Sequence, residues 1–158
     1  MLKVKIIAVG KIKEKYFQDA ILEYSKRLSR YAKFSIVEVK EENYVQEPNE
    51  SEKLEILYRE GVNIKKELSG YVIAMCIEGK KLSSVDLAKI IDNVKNVSSE
   101  ICFIIGGSYG IDESVKKLAD LKLSISDMTF PHTLCRVVLS EQIYRAFSIL
   151  NDGKYHKW

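Results

Sequence analysis

The sequence predicts an α/β fold, a mainly parallel sheet flanked by helices, in a single domain over residues 1–158. Three observations carry that expectation. Strand-like and helix-like patterns alternate from one end of the chain to the other, as βαβ units require. Two short runs, Tyr71 to Ile77 (YVIAMCI) and Glu100 to Ile105 (EICFII), are apolar and rich in β-formers, as strands buried inside a parallel sheet are. At 158 residues, 46% hydrophobic and 30% charged, the chain can bury one sizeable core, and it contains no repeat, linker or low-complexity tract.

The elements follow in order. Lys3 to Val9 (KVKIIAV) alternates, then runs apolar, and stops at Gly10. Phe17, Ala20, Ile21, Tyr24, Leu28 and Tyr31 recur at three- and four-residue spacing and predict an amphipathic helix. Phe34 to Val39 (FSIVEV) reads as a second strand, and the acidic stretch from Glu41 to Glu50 as a surface loop around Pro48. Ser51 can cap a helix running to about Leu68, with Gly61 a weak point inside it. After the YVIAMCI strand comes a turn, EGKK. Ser83 and Asp86 then form an S-x-x-D helix start, with the helix running to about Val94. EICFII enters the glycine turn Gly106-Gly107-Ser108-Tyr109-Gly110, and a short helix from about Asp112 to Leu118 leads to a strand over Lys122 to Ser126. Beyond the polar cluster Ser126-Asp127-Met128-Thr129, Pro131 stands where proline is tolerated at a helix start, and from Thr133 the pattern is helical.

Composition excludes several classes. No apolar run approaches the roughly 20 residues that a membrane helix needs. The start, MLKVKIIAVGK, lacks the unbroken apolar core of a signal peptide. Cys76, Cys102 and Cys135 form no CxxC pair, and His132 and His156 are the only histidines, so neither a zinc site nor a disulfide framework is expected. The chain reads as cytoplasmic with reduced thiols. Net charge is only +3, but residues 1–33 carry nine Lys/Arg against three acids, while residues 34–131 carry twelve against seventeen. Lys11, Lys13 and Lys15 follow the first strand, and Lys26, Arg27, Arg30 and Lys33 end the first helix. Such clusters can track a phosphate backbone, or can simply be solvated faces that favour a helix dipole.

Ligands in parallel sheets gather at the carboxyl ends of strands. Three loops meet that description: the one after Met75, the glycine turn after Ile105, and Ser126 to Pro131. IGGSYG is neither a P-loop nor a G-x-G-x-x-G dinucleotide turn, though its glycines allow a ligand close to backbone. The Ser126–Pro131 loop, opening onto a helix N-terminus, can surround a small polar ligand or be an ordinary connection. On the last helix, Glu141 and Arg145 are four apart and can pair, while Arg136 projects from nearly the opposite side. The apolar positions of that helix cover well over one face, which suggests burial on two sides, in the core or against a second subunit. The tail NDGKYHKW, ending with Tyr155, His156 and Trp158, reads as one that docks rather than frays.

Together IGGSYG, SISDMTFPH, RVVLSEQIYRAFSIL and the terminal YHKW closely resemble the ribosomal RNA large subunit methyltransferase H family, of the SPOUT class. The resemblance spans the whole chain and is most specific in its C-terminal half. Departures are Lys154, where the family often has Pro, and Met75, where Leu is common. The resemblance implies a C-terminal deep trefoil knot that holds S-adenosylmethionine. Met75, Gly107 and the run Ser126, Asp127, Met128, Thr129, Phe130, Pro131 would contact it. It also implies a homodimer, with the partner's tail helping to complete each site.

The implied reaction is methylation of N3 of a pseudouridine in 23S ribosomal RNA, within the large subunit or the assembled ribosome, without metal or membrane. Arg145 would stabilise the imide charge that develops there, with Tyr155 and His156 orienting the ring and His156 the candidate base. Lys11, Lys13, Lys15 and Arg136 would meet RNA phosphates, contributing affinity rather than base choice. Two rival readings are a knotted methyltransferase acting on another RNA, such as transfer RNA, and a ribosome-binding factor without catalysis.

Overall fold

The computed structural model describes residues 1–157, so the expected docking of Trp158 lies outside the described residues. Ten elements alternate: β1 (Lys3–Val9), α1 (Lys15–Leu28), β2 (Lys33–Val39), α2 (Glu50–Glu67), β3 (Tyr71–Lys81), α3 (Ser84–Val94), β4 (Glu100–Ile105), α4 (Glu113–Lys116), β5 (Leu121–Ser124) and α5 (His132–Leu150). The strands form one sheet in the order β2-β1-β4-β3-β5, with every neighbouring pair parallel. Side-chain alternation divides the core in two. Val4, Ile6, Ala8, Ile73, Ile101 and Phe103 face α1, α3 and α5, which supply Leu28, Ile91, Leu139, Ile143 and Phe147. Ile7, Val9, Val72, Ala74, Cys102 and Ile104 face the other way, onto Ile64 of α2 and Val115 of α4. Both faces of the central strands are covered, which is why they read as continuous apolar runs.

Three boundaries differ from expectation. The cap of α2 is Asn49, not Ser51: its side chain accepts from the Glu52 N–H while Glu52 accepts from the Asn49 N–H, a complete capping box. EGKK is not a turn but the continuation of β3. Leu123 of β5 is the register partner of both Met75 and Lys80, so residues 76–79 bulge out between them. A Cβ at Gly79 would sit 2.7 Å from the Leu123 backbone, and glycine is what lets the two strands close again there. Finally, β5 ends at Ser124, and α5 begins at His132 with Pro131 in the N-cap position.

The strand order decides where a ligand can sit. From β3 the chain steps to one side to make β4, then returns past β3 to make β5 on the other side. The carboxyl end of β3 is therefore bracketed by the loops that leave β4 and β5, as at the switch points where α/β folds bind ligands. A buried tether holds the neighbouring edge: Arg136 of α5, 3% exposed, donates to Glu38 of β2 at 2.6 Å and to the Gly10 carbonyl after β1 at 3.1 Å.

Candidate functional site

At that bracketed end lies a cleft of about 740 Å³, within the range of small-molecule sites. Its walls come from Met75 to Glu78, the turn from Ile105 to Ile111, Leu123 to Ser126, Met128 to His132, and Cys135. A Cβ at Gly106 would collide with the Gly110 carbonyl, so only glycine lets this turn fold back on itself. The loop after β5 is held by three contacts. Ser124 Oγ donates to the Ser126 carbonyl at 3.0 Å, the Met128 N–H donates to Ser126 Oγ at 3.0 Å, and Lys81 binds Asp127 at 2.5 Å. The first turn of α5 completes the wall. Its opening amides have no intrahelical acceptor, and Pro131 offers no side-chain cap.

The cleft is mostly apolar and backbone in character. Burial raises the Cys76 thiol and pushes Cys135 up to about 11, so both act as small neutral wall groups near pH 7. Among the lining residues, Glu78 and Lys116 are the only Asp, Glu, Lys or Arg side chains. They pair at 2.6 Å, and Lys116 also reaches Glu113 at 3.3 Å. Burial works against the Lys116 charge, but its two carboxylate partners outweigh it and raise the ammonium's pKa, while the hydrogen bond from Lys116 lowers that of Glu78. Beneath the glycine turn, Glu60 is 3% exposed and accepts the Glu42 N–H at 3.1 Å. Burial, with a smaller push from Glu41 and Glu42, raises Glu60 to about 7.

A second polar group sits farther along α5. Arg145 makes a two-nitrogen contact with Glu141, Nη2 at 2.6 Å and Nε at 3.2 Å from Oε2. The Tyr155 hydroxyl donates to the same oxygen at 2.7 Å, and the Tyr155 ring lies 4.7 Å from the guanidinium carbon. Burial, then the bond to Glu141, raises the phenol well above its ordinary range. Arg145 Nη1 lies 3.1 Å from His156 Nδ1. A guanidinium only donates, so this contact is a hydrogen bond in the tautomer whose Nδ1 accepts. Arg27 of α1 stands 5.8 Å from the Tyr155 ring and 5.6 Å from that of Tyr144. The expected docking of Tyr155 and His156 is thus realised on the protein's own α5.

Of the residues expected to contact the cofactor, Met75, Gly107, Ser126, Met128, Thr129, Phe130 and Pro131 line the cleft. Asp127 does not; it is exposed and turned toward Lys81. Arg145, Tyr155 and His156 come together, but away from the cleft. Ten residues separate Arg145 from Cys135 on one helix, about 15 Å at 1.5 Å per residue. Lys11, Lys13 and Lys15 are exposed after β1, with Lys15 paired to Asp19. Arg136 departs from its expected place on an RNA face: it is sealed under the sheet edge and engaged with Glu38 and Gly10, leaving no surface for a phosphate. Sequence reasoning missed Glu78 and Lys116, whose pairing across 38 residues leaves no local signal, and the buried Glu60. Among the described residues no cluster of His, Cys, Asp and Glu could hold a metal, and no helix is long and apolar enough to cross a membrane.

Comparison with known proteins follows the same lines. Residues 2–156 match the family described as "Predicted SPOUT methyltransferase". Ribosomal RNA large subunit methyltransferase H of Clostridium botulinum (strain Alaska E43 / Type E3) is 49% identical over 159 residues, covering 99% of this chain and 100% of the relative. The protein of the same name from Bifidobacterium adolescentis is 50% identical with the same coverage. Among solved structures, a probable methylase family protein from Haemophilus influenzae Rd KW20 aligns with a TM-score of 0.55 at 13% identity, covering 100% of this chain and 72% of that one, a likeness of fold alone. The family match across nearly every residue and the full-length relatives agree: the chain belongs to the SPOUT methyltransferase family.

Proposed function

We propose that this protein is an S-adenosylmethionine-dependent methyltransferase that acts on N3 of a pseudouridine in 23S ribosomal RNA of the large subunit. The observation that carries the reading is the cleft at the carboxyl ends of β3, β4 and β5, lined by the segments that carry the family's motifs. The names of the full-length relatives support large-subunit ribosomal RNA as the substrate. The deep trefoil knot of the SPOUT class belongs to the same proposal, supported by family membership and by the return of the chain past β3.

The cleft fits the cofactor. Met75, Ile105, Leu123 and Phe130 offer apolar contact to a purine, while the backbone of Ser126 to Pro131 offers donors and acceptors for its edge. The narrow turn at Gly106 and Gly107 brings peptide groups close to a ligand without intervening side chains. When bound, S-adenosylmethionine supplies a methyl group already activated by its sulfonium.

What remains for the protein is alignment and creation of a nucleophile. Pseudouridine N3 is an imide N–H, and loss of its proton spreads negative charge over the two flanking carbonyls. Arg145 would stabilise that anion, Glu141 holding its planar fork and Tyr155 packing on its face. His156 is the proposed base. As it lies here, its Nδ1 faces Arg145, so accepting a substrate proton at that nitrogen requires the substrate to replace the arginine. About 15 Å of helix lies between Arg145 and the cleft, so one chain does not bring the two groups to a single reacting atom. A homodimer resolves this: each cleft would be completed by Arg145, Tyr155 and His156 of the other copy. Lys11, Lys13 and Lys15 would hold RNA phosphates, and the protein would work in the cytoplasm on ribosomal subunits or assembled ribosomes.

The test is methyl transfer from radiolabelled S-adenosylmethionine to ribosomal particles lacking this methyl group, with and without the target pseudouridine. Label confined to pseudouridine-containing large-subunit RNA supports the proposal. Tight cofactor binding without transfer points to another RNA, and absence of cofactor binding to a ribosome-binding factor.

A further inference from the structure

The cleft wall carries one ion pair and no other full charge. Lys116 is 14% exposed at its side chain, anchored on the short helix α4, and reaches Glu78 in the bulge of β3. This pair is a poor choice for stability alone, since Glu78 is about half-exposed and a pair with one solvated partner gains little. It is also incomplete as hydrogen bonding. An ammonium has three donors, and Lys116 spends two of them on Glu78 and Glu113, while the Glu78 carboxylate, with about four acceptor sites, accepts from Lys116, from its own backbone N–H and from the Cys76 thiol, which leaves about one site open. The pair thus presents one further donor and further acceptor capacity, side by side, to the cleft.

A ligand matching that pattern carries one carboxylate and one ammonium on a single carbon, which is an α-amino acid group. We propose that Lys116 and Glu78 bind the amino-acid end of the cofactor, Lys116 taking its carboxylate and Glu78 its ammonium. This rests on the cofactor reading above and extends it to residues outside the family motifs. The bulge at residues 76–79 gains a purpose from it. Leu123 partners both Met75 and Lys80, so the strand spends four residues between them, which puts Glu78 on the cleft wall opposite α4. The rest of the wall carries no Asp, Glu, Lys or Arg side chain, so the two ends of the cofactor are told apart: purine against the apolar wall, zwitterion at the ion pair.

The experiment is calorimetric binding of two thioethers to the whole protein. S-adenosylhomocysteine carries the amino-acid end, and 5′-deoxy-5′-methylthioadenosine lacks it. Lys116→Met and Glu78→Gln should each weaken S-adenosylhomocysteine by roughly tenfold or more, the scale of one charge-assisted hydrogen bond. Binding of methylthioadenosine should stay within about twofold, which also shows that the cleft is intact. Lys116→Arg should recover most of the loss. Unchanged S-adenosylhomocysteine binding in both variants overturns this proposal while leaving the cofactor reading intact. An equal fall for both ligands overturns it too, by making the pair merely structural. Failure of the unmodified protein to bind either ligand removes the cofactor reading and this inference with it.

Discussion

Replacing Arg136 separates a structural arginine from an RNA-binding one. The side chain is 3% exposed and its hydrogen bonds to Glu38 and Gly10 join α5 to the ends of β1 and β2. Arg136→Met keeps the apolar stem but removes a charge-assisted bond to Glu38, worth about 1.5–3 kcal/mol, and leaves the Gly10 carbonyl without that donor, about 1–3 kcal/mol more. Two features reduce the total. The Glu38 side chain is 39% exposed and recovers water, and Arg136 Nε, buried without a partner, no longer has to be desolvated. A net loss of about 2 kcal/mol follows. Glu38→Ala should cost a similar ~2 kcal/mol, because it strands a buried guanidinium; the full 3–5 kcal/mol of a broken buried pair is cut by the exposure of Glu38. The double variant should fall short of the sum by about 1 kcal/mol. Urea unfolding at pH 7 measures all three, with equal slopes required for a fair comparison. Losses under about 0.5 kcal/mol in both single variants would refute the tether. So would unchanged stability in Arg136→Met together with RNA binding whose salt slope drops by about one, the signature of a lost phosphate contact.

Other consequences are equally open to measurement. Glu60, raised to about 7 in the folded protein against 4.5 for the ordinary carboxyl, favours folding fully below about pH 4.5. That contribution, on the order of 3 kcal/mol, is lost as pH rises through 7. Glu60→Gln, which keeps an acceptor for Glu42, should flatten the fall in urea midpoint between pH 5 and pH 8, and an unaltered slope would contradict this. Arg145→Lys loses the fork to Glu141 and should lower turnover roughly 10²–10³-fold with adenosine ligands bound as before. In His156→Ala, turnover equal to that of the unmodified protein across pH would remove the histidine from proton transfer. Reversing Lys11, Lys13 and Lys15 to glutamate should weaken RNA binding and flatten its log–log salt dependence by about two to three, leaving cofactor affinity alone.

How far the sequence could be read depended on whether a signal was local. YVIAMCI and EICFII announced themselves because both of their faces are covered, and the motif segments around Gly107 and Ser126 fell on the cleft because strand ends are where parallel sheets bind ligands. The α2 cap is legible locally: Glu52, three residues after Asn49, marks the capping box, whereas Ser51 has Leu54 at that spacing. EGKK looked like a turn since glycine and lysine are weak strand formers, yet pairing with Leu123 overrides that preference. Periodicity put Arg136 on a different side of α5 from Arg145, but says nothing of what covers that side. Gly10, 126 residues earlier, does. The Glu78–Lys116 pair likewise exists only once the sheet has formed.

The order of strands also sets a schedule for the chain as it is made. Every neighbouring pair in the sheet is parallel, so none can be closed by a tight hairpin, and each waits for a crossover. Such non-local pairing is slow to nucleate. The schedule is uneven as well. The four strands β2, β1, β4 and β3 are synthesised by Ile105, whereas β5 and the loop that closes the cleft come from the last quarter of the chain. A growing chain can therefore hold a sheet with β3 as a bare outer edge, open to pairing with other chains, until Leu121 to Ser124 arrive. Ligand binding at the cleft then marks the moment of completion, so adenosine ligands should protect the finished protein without speeding the earlier steps of its folding.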